Sequence, residues 1–203
     1  MTQKHKLSYD RYTNWTPERY EKQGVMVWLC RKPSDKKILP VLSQIKSKSI
    51  LDVGLGTGDY TRLLLNDNRV VGIDQNPHLC RLNVKVHKGD ATQLSALVAD
   101  EKFDVVLSTW MTDYLNAENL QKFFLEAKKV LKTGGRLITT TIRPNGLGLV
   151  YLFLARFWRH ADKHGYPKKR VAQMLKNAGY SDIQMINLSS WLGVPWACLV
   201  IAK

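Results

Sequence analysis

The sequence predicts an α/β domain with a mainly parallel sheet and helices on both faces. Three observations predict it. From Ile50 onward, short apolar runs alternate with apolar residues at helical spacing. A glycine-rich loop follows the first of those runs, and the last two runs are joined by a short loop. Strand–helix alternation places helices over both faces of a parallel sheet. A connection too short for a crossover makes the final pair antiparallel.

The elements follow in chain order. Ser49 to Val53 reads as a strand, and Tyr60 to Leu65 opens a helix behind the glycines. Arg69 to Ile73, Val84 to His87 and Phe103 to Leu107 read as the next three strands. Leu120, Phe123, Phe124, Ala127, Val130 and Leu131 share one face of a helix, with Asn116 as its N-cap. Gly134-Gly135 ends that helix and leads into a fifth strand, Arg136 to Ile142. Pro167 suits the first turn of a later helix with Val171, Met174, Leu175 and Ala178 on one face and Gly179 beyond its end. Ile183 to Leu188 and Ala197 to Ala202 are the final strands. Upstream, Thr16-Pro17 starts a helix leading to Val25–Leu29, and Ser34-Asp35 starts another that Pro40 should kink or end.

The chain has 203 residues, the size of one domain, with 44% hydrophobic and 24% charged residues. Cys30, Cys80 and Cys198 form no C-x-x-C pair, which gives no support to a disulfide framework or a zinc cluster. A reducing, cytoplasmic setting is the expectation. Met1 to Asp10 is polar and lacks the apolar stretch of a secretory signal. Leu147 to Trp158 is greasy but interrupted by Arg156. It falls short of the roughly 20 apolar residues that a membrane span needs, and could instead lie on a bilayer.

The net charge is +14, and it is unevenly placed. Residues 1–50 carry 11 basic and 4 acidic groups, residues 51–142 carry 11 of each, and residues 143–176 carry 8 and 1. Two basic segments therefore flank a neutral core. Such segments attract phosphates, nucleic acid or an anionic membrane, or they serve only as a solubilising surface.

The loop Gly54-Leu55-Gly56-Thr57-Gly58 lies between a strand and a helix, preceded by Asp52 and followed by Asp59. In an open α/β sheet, ligands bind beyond the carboxyl ends of the strands. Asp74 ends the second strand 22 residues after Asp52, where a carboxylate can accept from two ribose hydroxyls. Gly89-Asp90-Ala91 follows the third strand, near an adenine edge; Asp90 also reads as an ordinary helix N-cap. The dinucleotide fingerprint would place glycine or alanine at Asp59. Two carboxylates beside the loop disfavour a pyrophosphate and suit a cationic ligand.

These segments resemble the class I S-adenosylmethionine-dependent methyltransferases, in the small-molecule and lipid branch. LDVGLGTG (Leu51 to Gly58), GID (Gly72 to Asp74), GDA (Gly89 to Ala91), FDVVLST (Phe103 to Thr109) and LKTGGRLI (Leu131 to Ile138) occur in the family's order. The resemblance runs from about residue 49 to 142, and the last two strands also fit. It implies a three-layer, Rossmann-like, seven-stranded, mostly parallel sheet with an antiparallel last strand. It implies S-adenosylmethionine as cofactor, S-adenosylhomocysteine as product, and no metal. Asp52, Gly54, Leu55, Gly56 and Gly58 would face the methionine moiety, and Asp74 would hold the ribose. Gln75, Asp90 and Ala91 would border the adenine, and Ser108 and Thr109 the sulfonium.

One domain, 1–203, divides accordingly: a helical cap at 1–48, the cofactor core at 49–142, a lid segment at 143–178 and a strand pair at 179–203. Methyl transfer is an in-line displacement, so positioning supplies much of the catalysis and a base is optional. Asp113, in the loop after the fourth strand, is a candidate base, an amine-orienting group or a cap. His160 is a second candidate base. His160 and His164 stand four apart as metal ligands might, yet a solvated basic helix end accounts for them. Trp110, Tyr114, Tyr9 and Tyr12 are candidate substrate contacts, Tyr9-Asp10 resembling the tyrosine-containing segment of the small-molecule branch. The chain lacks the N/D-P-P-Y/F motif of amino-methylating nucleic-acid enzymes, the Pro-Cys motif of cytosine-C5 enzymes and the paired-glutamate loop of protein-arginine enzymes, absences that do not exclude RNA.

The expected acceptor is small, apolar or lipid-like, with peripheral contact to an anionic membrane. The alternatives are an RNA methyltransferase that tracks phosphates with its basic segments, a non-catalytic cofactor-binding partner and, more distantly, a nicotinamide dehydrogenase. The sequence leaves the oligomeric state open.

Overall fold

A computed structural model describes residues 16, 27–159 and 163–203. Its frame is one seven-stranded sheet in the order β3-β2-β1-β4-β5-β7-β6. The strands are β1 (Ser49–Val53), β2 (Arg69–Asp74), β3 (Lys85–Lys88), β4 (Phe103–Ser108), β5 (Leu131–Ile142), β6 (Ile183–Ser189) and β7 (Pro195–Ala202). β1 to β5 pair in parallel, and β7 runs antiparallel between β5 and β6. The expected sheet, with one antiparallel last strand, is the one observed.

The helices are α1 (Lys32–Ser43), α2 (Asp59–Leu64), α3 (Leu94–Leu97), α4 (Ala117–Val130), α5 (Gly146–Arg159) and α6 (Lys168–Asn177). All of β1 is buried, as a central strand covered on both faces must be. Alternation along it feeds two cores. Leu51 and Val53 join Phe123 and Phe124 of α4 and Val171 and Leu175 of α6. Ile50 joins Ile38 and Leu42 of α1, Leu64 of α2 and Trp196 of β7. The Asn116 carboxamide caps α4 by accepting from the Asn119 amide at 2.9 Å.

Three local expectations need correction. Leu131 leaves α4 and pairs with Phe103 as the first residue of β5. The Gly134-Gly135 segment then bulges out, with Gly134 at φ +77°, and pairing resumes at Val105 with Arg136. The glycines interrupt a strand, because the helix has already ended at Val130. α1 begins at Lys32, with Pro33 in its first turn, and continues through Pro40. Proline deletes a single N–H, and buried Ile38 and Leu42 on either side hold the helix to the sheet. Ser34 sits inside the helix, donating to the Cys30 carbonyl at 2.8 Å and accepting from Trp196 Nε1 at 3.1 Å. The expected helix from Thr16-Pro17 falls almost wholly outside the described residues.

Residues 143–159 and 163–165 belong to an excursion at the carboxyl edge of the sheet. The chain leaves β5 at Ile142, builds α5, and returns so that the Tyr166 amide donates to the Ile142 carbonyl at 2.8 Å. α6 follows and packs in the layer of α4. Among the described residues no helix is long and apolar enough to cross a membrane.

Candidate cofactor site

β1 lies between β2 and β4, so the chain turns to opposite sides of the sheet after these strands. A cleft opens beyond such a switch point. Here it is a cleft of about 660 Å³, its open mouth included. Gly54 and Gly56 form one wall, and Asp74, Gln75 and Asn76 a second. Gly89, Asp90 and Ala91 line a third side, and Trp110, Met111, Tyr114 and Leu115 close the fourth.

The glycines meet two demands. Gly54 has φ +74°, and a Cβ there would lie 2.5 Å from Met111 Cγ. The Gly54 amide donates to the Ile73 carbonyl at 2.7 Å, and the Gly56 amide to Asp74 Oδ2 at 2.9 Å. Gly54→Ala should therefore displace Met111 from the cavity wall and strain the loop. Calorimetric titration with S-adenosylhomocysteine should show at least a tenfold loss of affinity, with the fold retained by circular dichroism.

Three carboxylates sit at this end of the sheet. Asp74 accepts the Gly56 amide on one oxygen and the Asn76 amide, at 2.7 Å, on the other. A carboxylate has about four acceptor positions, which leaves room for further donors. Asp90 accepts the Thr92 amide at 2.8 Å and its hydroxyl at 2.7 Å, and takes Gln75 Nε2 on its other oxygen at 2.8 Å. It is thus the N-cap of the single turn Ala91–Gln93 as well as part of the wall. Asp52, the residue before Val53 and Gly54 of the wall, does not itself line the cavity and is almost wholly buried, with Oδ2 accepting the Thr61 hydroxyl at 2.5 Å. Its Oδ1 is buried with no hydrogen-bond partner. Burial raises the Asp52 carboxyl to about 7; the Thr61 bond opposes this, and the Asp74 charge adds to it.

The wall therefore holds two carboxylates and no basic side chain among the described residues. That donor set fits a ligand with hydroxyls and a positive charge, and fits a pyrophosphate poorly. The residues present are compatible with S-adenosylmethionine.

Other expected contacts lie off this wall. Leu55 turns beneath β2, its methyls filling the space above Gly72. Gly58 caps α2 at φ +87°. Ser108 is fully buried with an unpartnered hydroxyl, and Thr109 is not on the wall. Tyr9, Tyr12 and His160 lie outside the described residues. His164 follows α5 in a non-helical stretch, its amide donating to the Asp113 carbonyl, so it does not stand on the expected solvated helix end. No group of three metal-ligating side chains occurs among the described residues.

Asp113 does not line the cavity. Its carboxylate is ion-paired with Lys163, and both side chains are at most 5% exposed. A carboxylate committed to a buried cation is not placed to take a proton from a ligand in the cavity. Trp110 and Tyr114 do reach the wall. Trp110 has φ +59°, donates from its backbone to Thr140 Oγ1 at 2.7 Å and from Nε1 to the Tyr60 hydroxyl at 2.8 Å. Its ring stacks on Trp196 at 5.0 Å. Asn76, Leu79, Met111 and Leu115 are wall residues that the sequence did not single out. The only sequence signal for the first two was Asn76-Pro77, a turn dipeptide directly after Asp74.

Known proteins share this fold. An N-methyltransferase of Bradyrhizobium japonicum, solved with S-adenosylhomocysteine, superimposes with a TM-score of 0.69 at 16% identity, over 97% of each chain. The fold is that of the Rossmann-like methyltransferases. Residues 51–139 match the family described as Methyltransferase domain, and this core resembles the class I S-adenosylmethionine-dependent methyltransferases. An uncharacterized protein of Methanocaldococcus jannaschii is 30% identical over 144 residues, 66% of this chain and 65% of its own. The demethylmenaquinone methyltransferase of Thermotoga maritima is 26% identical over 136 residues, 61% of this chain and 58% of its own. The chain thus aligns with under two thirds of the length of each of these relatives.

Proposed function

We propose that this chain binds S-adenosylmethionine in the cavity beyond β1, β2 and β4 and transfers its methyl group to a small, apolar or lipid-like acceptor. The observation that carries the reading is the wall lined by Asp74 and Asp90 with no basic side chain among the described residues, next in sequence to the buried, unpartnered Oδ1 of Asp52. Bound S-adenosylmethionine supplies a methyl group on a positively charged sulfur. Asp74, held by two backbone amides, offers its remaining acceptor positions to the ribose hydroxyls. Gln75, Asp90 and Ala91 border the adenine, and Asp52 with Gly54 and Gly56 takes the methionine end.

Trp110, Met111, Tyr114 and Leu115 supply an apolar, partly aromatic surface, which favours an apolar acceptor and excludes water from the reacting centre. With Asp113 committed to Lys163, the residues on this wall act by orientation. The demethylmenaquinone methyltransferase among the relatives lends support to an apolar acceptor. The reading includes a cytoplasmic protein with peripheral contact to an anionic membrane, the source of such an acceptor.

The test is transfer of labelled methyl from S-adenosylmethionine into a cell extract separated into lipid, RNA, protein and polar fractions. Label is expected in the lipid or apolar small-molecule fraction, and Asp74→Ala should lower it by at least a hundredfold. Label in RNA alone would overturn the acceptor assignment in favour of phosphate tracking by the basic segments. Cofactor binding with no transfer to any fraction would make the chain a non-catalytic partner.

A further inference from the structure

At the carboxyl edge of the sheet, two apolar groups face solvent. α5 turns Leu149, Val150 and Phe153 outward, with Phe153 59% exposed. The loop between β6 and β7 presents Trp191, Leu192 and Val194, with Leu192 74% exposed. Both groups adjoin the start of β7. Ala197 of β7 pairs with Ile142, the last residue before the α5 excursion. Gly148 packs on the Trp196 carbonyl, and the Tyr151 ring lies 5.3 Å from the Trp196 ring. A surface helix normally turns polar residues outward, and contiguous exposed apolar groups mark interaction sites.

The charged side chains in contact with this region are basic, while Asp35, next to Lys36 on α1, accepts the Tyr60 hydroxyl. Lys36 Nζ lies 4.8 Å over the Trp191 ring. Lys37 Nζ donates to the Asn187 carbonyl at 2.8 Å, and Arg143 Nη1 to Asn187 Oδ1 at 3.3 Å. Beyond Glu126 the chain has two acidic residues, Asp162 and Asp182. Asp182 pairs with Lys203 at the opposite end of the β6–β7 hairpin.

We infer that this patch docks on the surface of an anionic lipid bilayer, the apolar side chains entering the interface and Lys36, Lys37 and Arg143 meeting its charge. Tryptophan and flanking lysines suit that boundary, and amphipathic elements lie in its plane. The apolar tip would add nothing to phosphate tracking on RNA, and the +14 charge opposes pairing of two copies through this face. The patch lies at the same edge of the sheet as the cavity, so docking would bring an apolar acceptor to it; only that purpose rests on the methyltransferase reading.

The test is flotation of the full chain with vesicles of phosphatidylcholine and with vesicles of equimolar phosphatidylcholine and phosphatidylglycerol. Wild type should float with the mixed vesicles only. Leu192→Ser, and separately Leu149→Ser with Phe153→Ser, should each weaken that binding by about tenfold or more, while calorimetric affinity for S-adenosylhomocysteine stays unchanged. If the double variant fails to fold, Leu192→Ser at a loop tip carries the test alone. Absence of wild-type flotation would overturn the inference. So would flotation that salt abolishes but Leu192→Ser leaves intact, or a dimer that Leu192→Ser dissociates in protein that does not bind lipid. A wild-type protein that floats but binds no S-adenosylhomocysteine would refute the methyltransferase reading and leave the docking intact.

Discussion

Lys163→Met should destabilise the fold by about 3–5 kcal/mol, the cost of leaving a buried charge unpaired. Lys163 and Asp113 are ion-paired and almost completely buried. The ammonium also lies 4.1 Å from the centre of the Tyr114 ring and donates to the Tyr151 hydroxyl at 3.1 Å. The His164 amide donates to the Asp113 carbonyl at 2.7 Å. These contacts fasten the returning end of the α5 excursion to the loop after β4. In thermal unfolding, Tm should fall by roughly 10 °C for a chain of this size. Combining Asp113→Leu with Lys163→Met removes both charges and should recover most of the loss. A single-variant loss near zero would mean that water already solvates the pair. Because Tyr114 lines the cavity, the single variant should also weaken cofactor binding, and the double variant should restore it in part.

Asp52→Asn should make the ligand-free protein more stable above neutral pH while weakening its hold on the cofactor. Burial raises the Asp52 carboxyl to about 7, against about 3.9 in an unfolded chain. Between these values the folded protein holds a proton that the unfolded chain has lost. Stability from this group is therefore fully present below about pH 4, falls as pH rises, and levels off above about 7. The full difference is on the order of 4 kcal/mol, and the uncharged carboxamide of the Asp52→Asn variant should recover a large part of it at pH above 7. A cationic ligand beside Oδ1 reverses the preference by stabilising the ionised form. Cofactor affinity of the wild type should accordingly increase as pH rises through about 7. Asp52→Asn should lose that pH dependence and bind at least tenfold more weakly. Titration calorimetry across this range, paired with thermal unfolding without ligand, reads both effects. A flat wild-type profile would place the ligand's charge away from Asp52.

The strand–helix alternation, the glycine loop and the carboxylates at 52, 74 and 90 were legible because each depends on local spacing or on a residue type at a strand end. The α4 stripe was legible for the same reason, except at Leu131. There a residue with a helical-face position pairs with Phe103, a contact across 28 positions that periodicity does not report. The continuation of α1 through Pro40 likewise depends on burial against the sheet. Asp113 read as a candidate base because its sequence neighbours are cavity residues; its partner Lys163 lies 50 residues away. The greasy stretch from Leu147 was recognisable as a helix. Its division into an inward side near Trp196 and an exposed side at Leu149 and Phe153 required the path of the chain back to Ile142.

The most direct test of the cofactor site is competitive calorimetry on the wild-type chain, with S-adenosylhomocysteine and NADH titrated separately and then against each other. A carboxylate-lined wall with no basic group among the described residues predicts one S-adenosylhomocysteine site per chain and no displacement by NADH. Saturable NADH binding, with S-adenosylhomocysteine silent, would contradict the assignment and return the glycine loop to the dinucleotide-binding proteins.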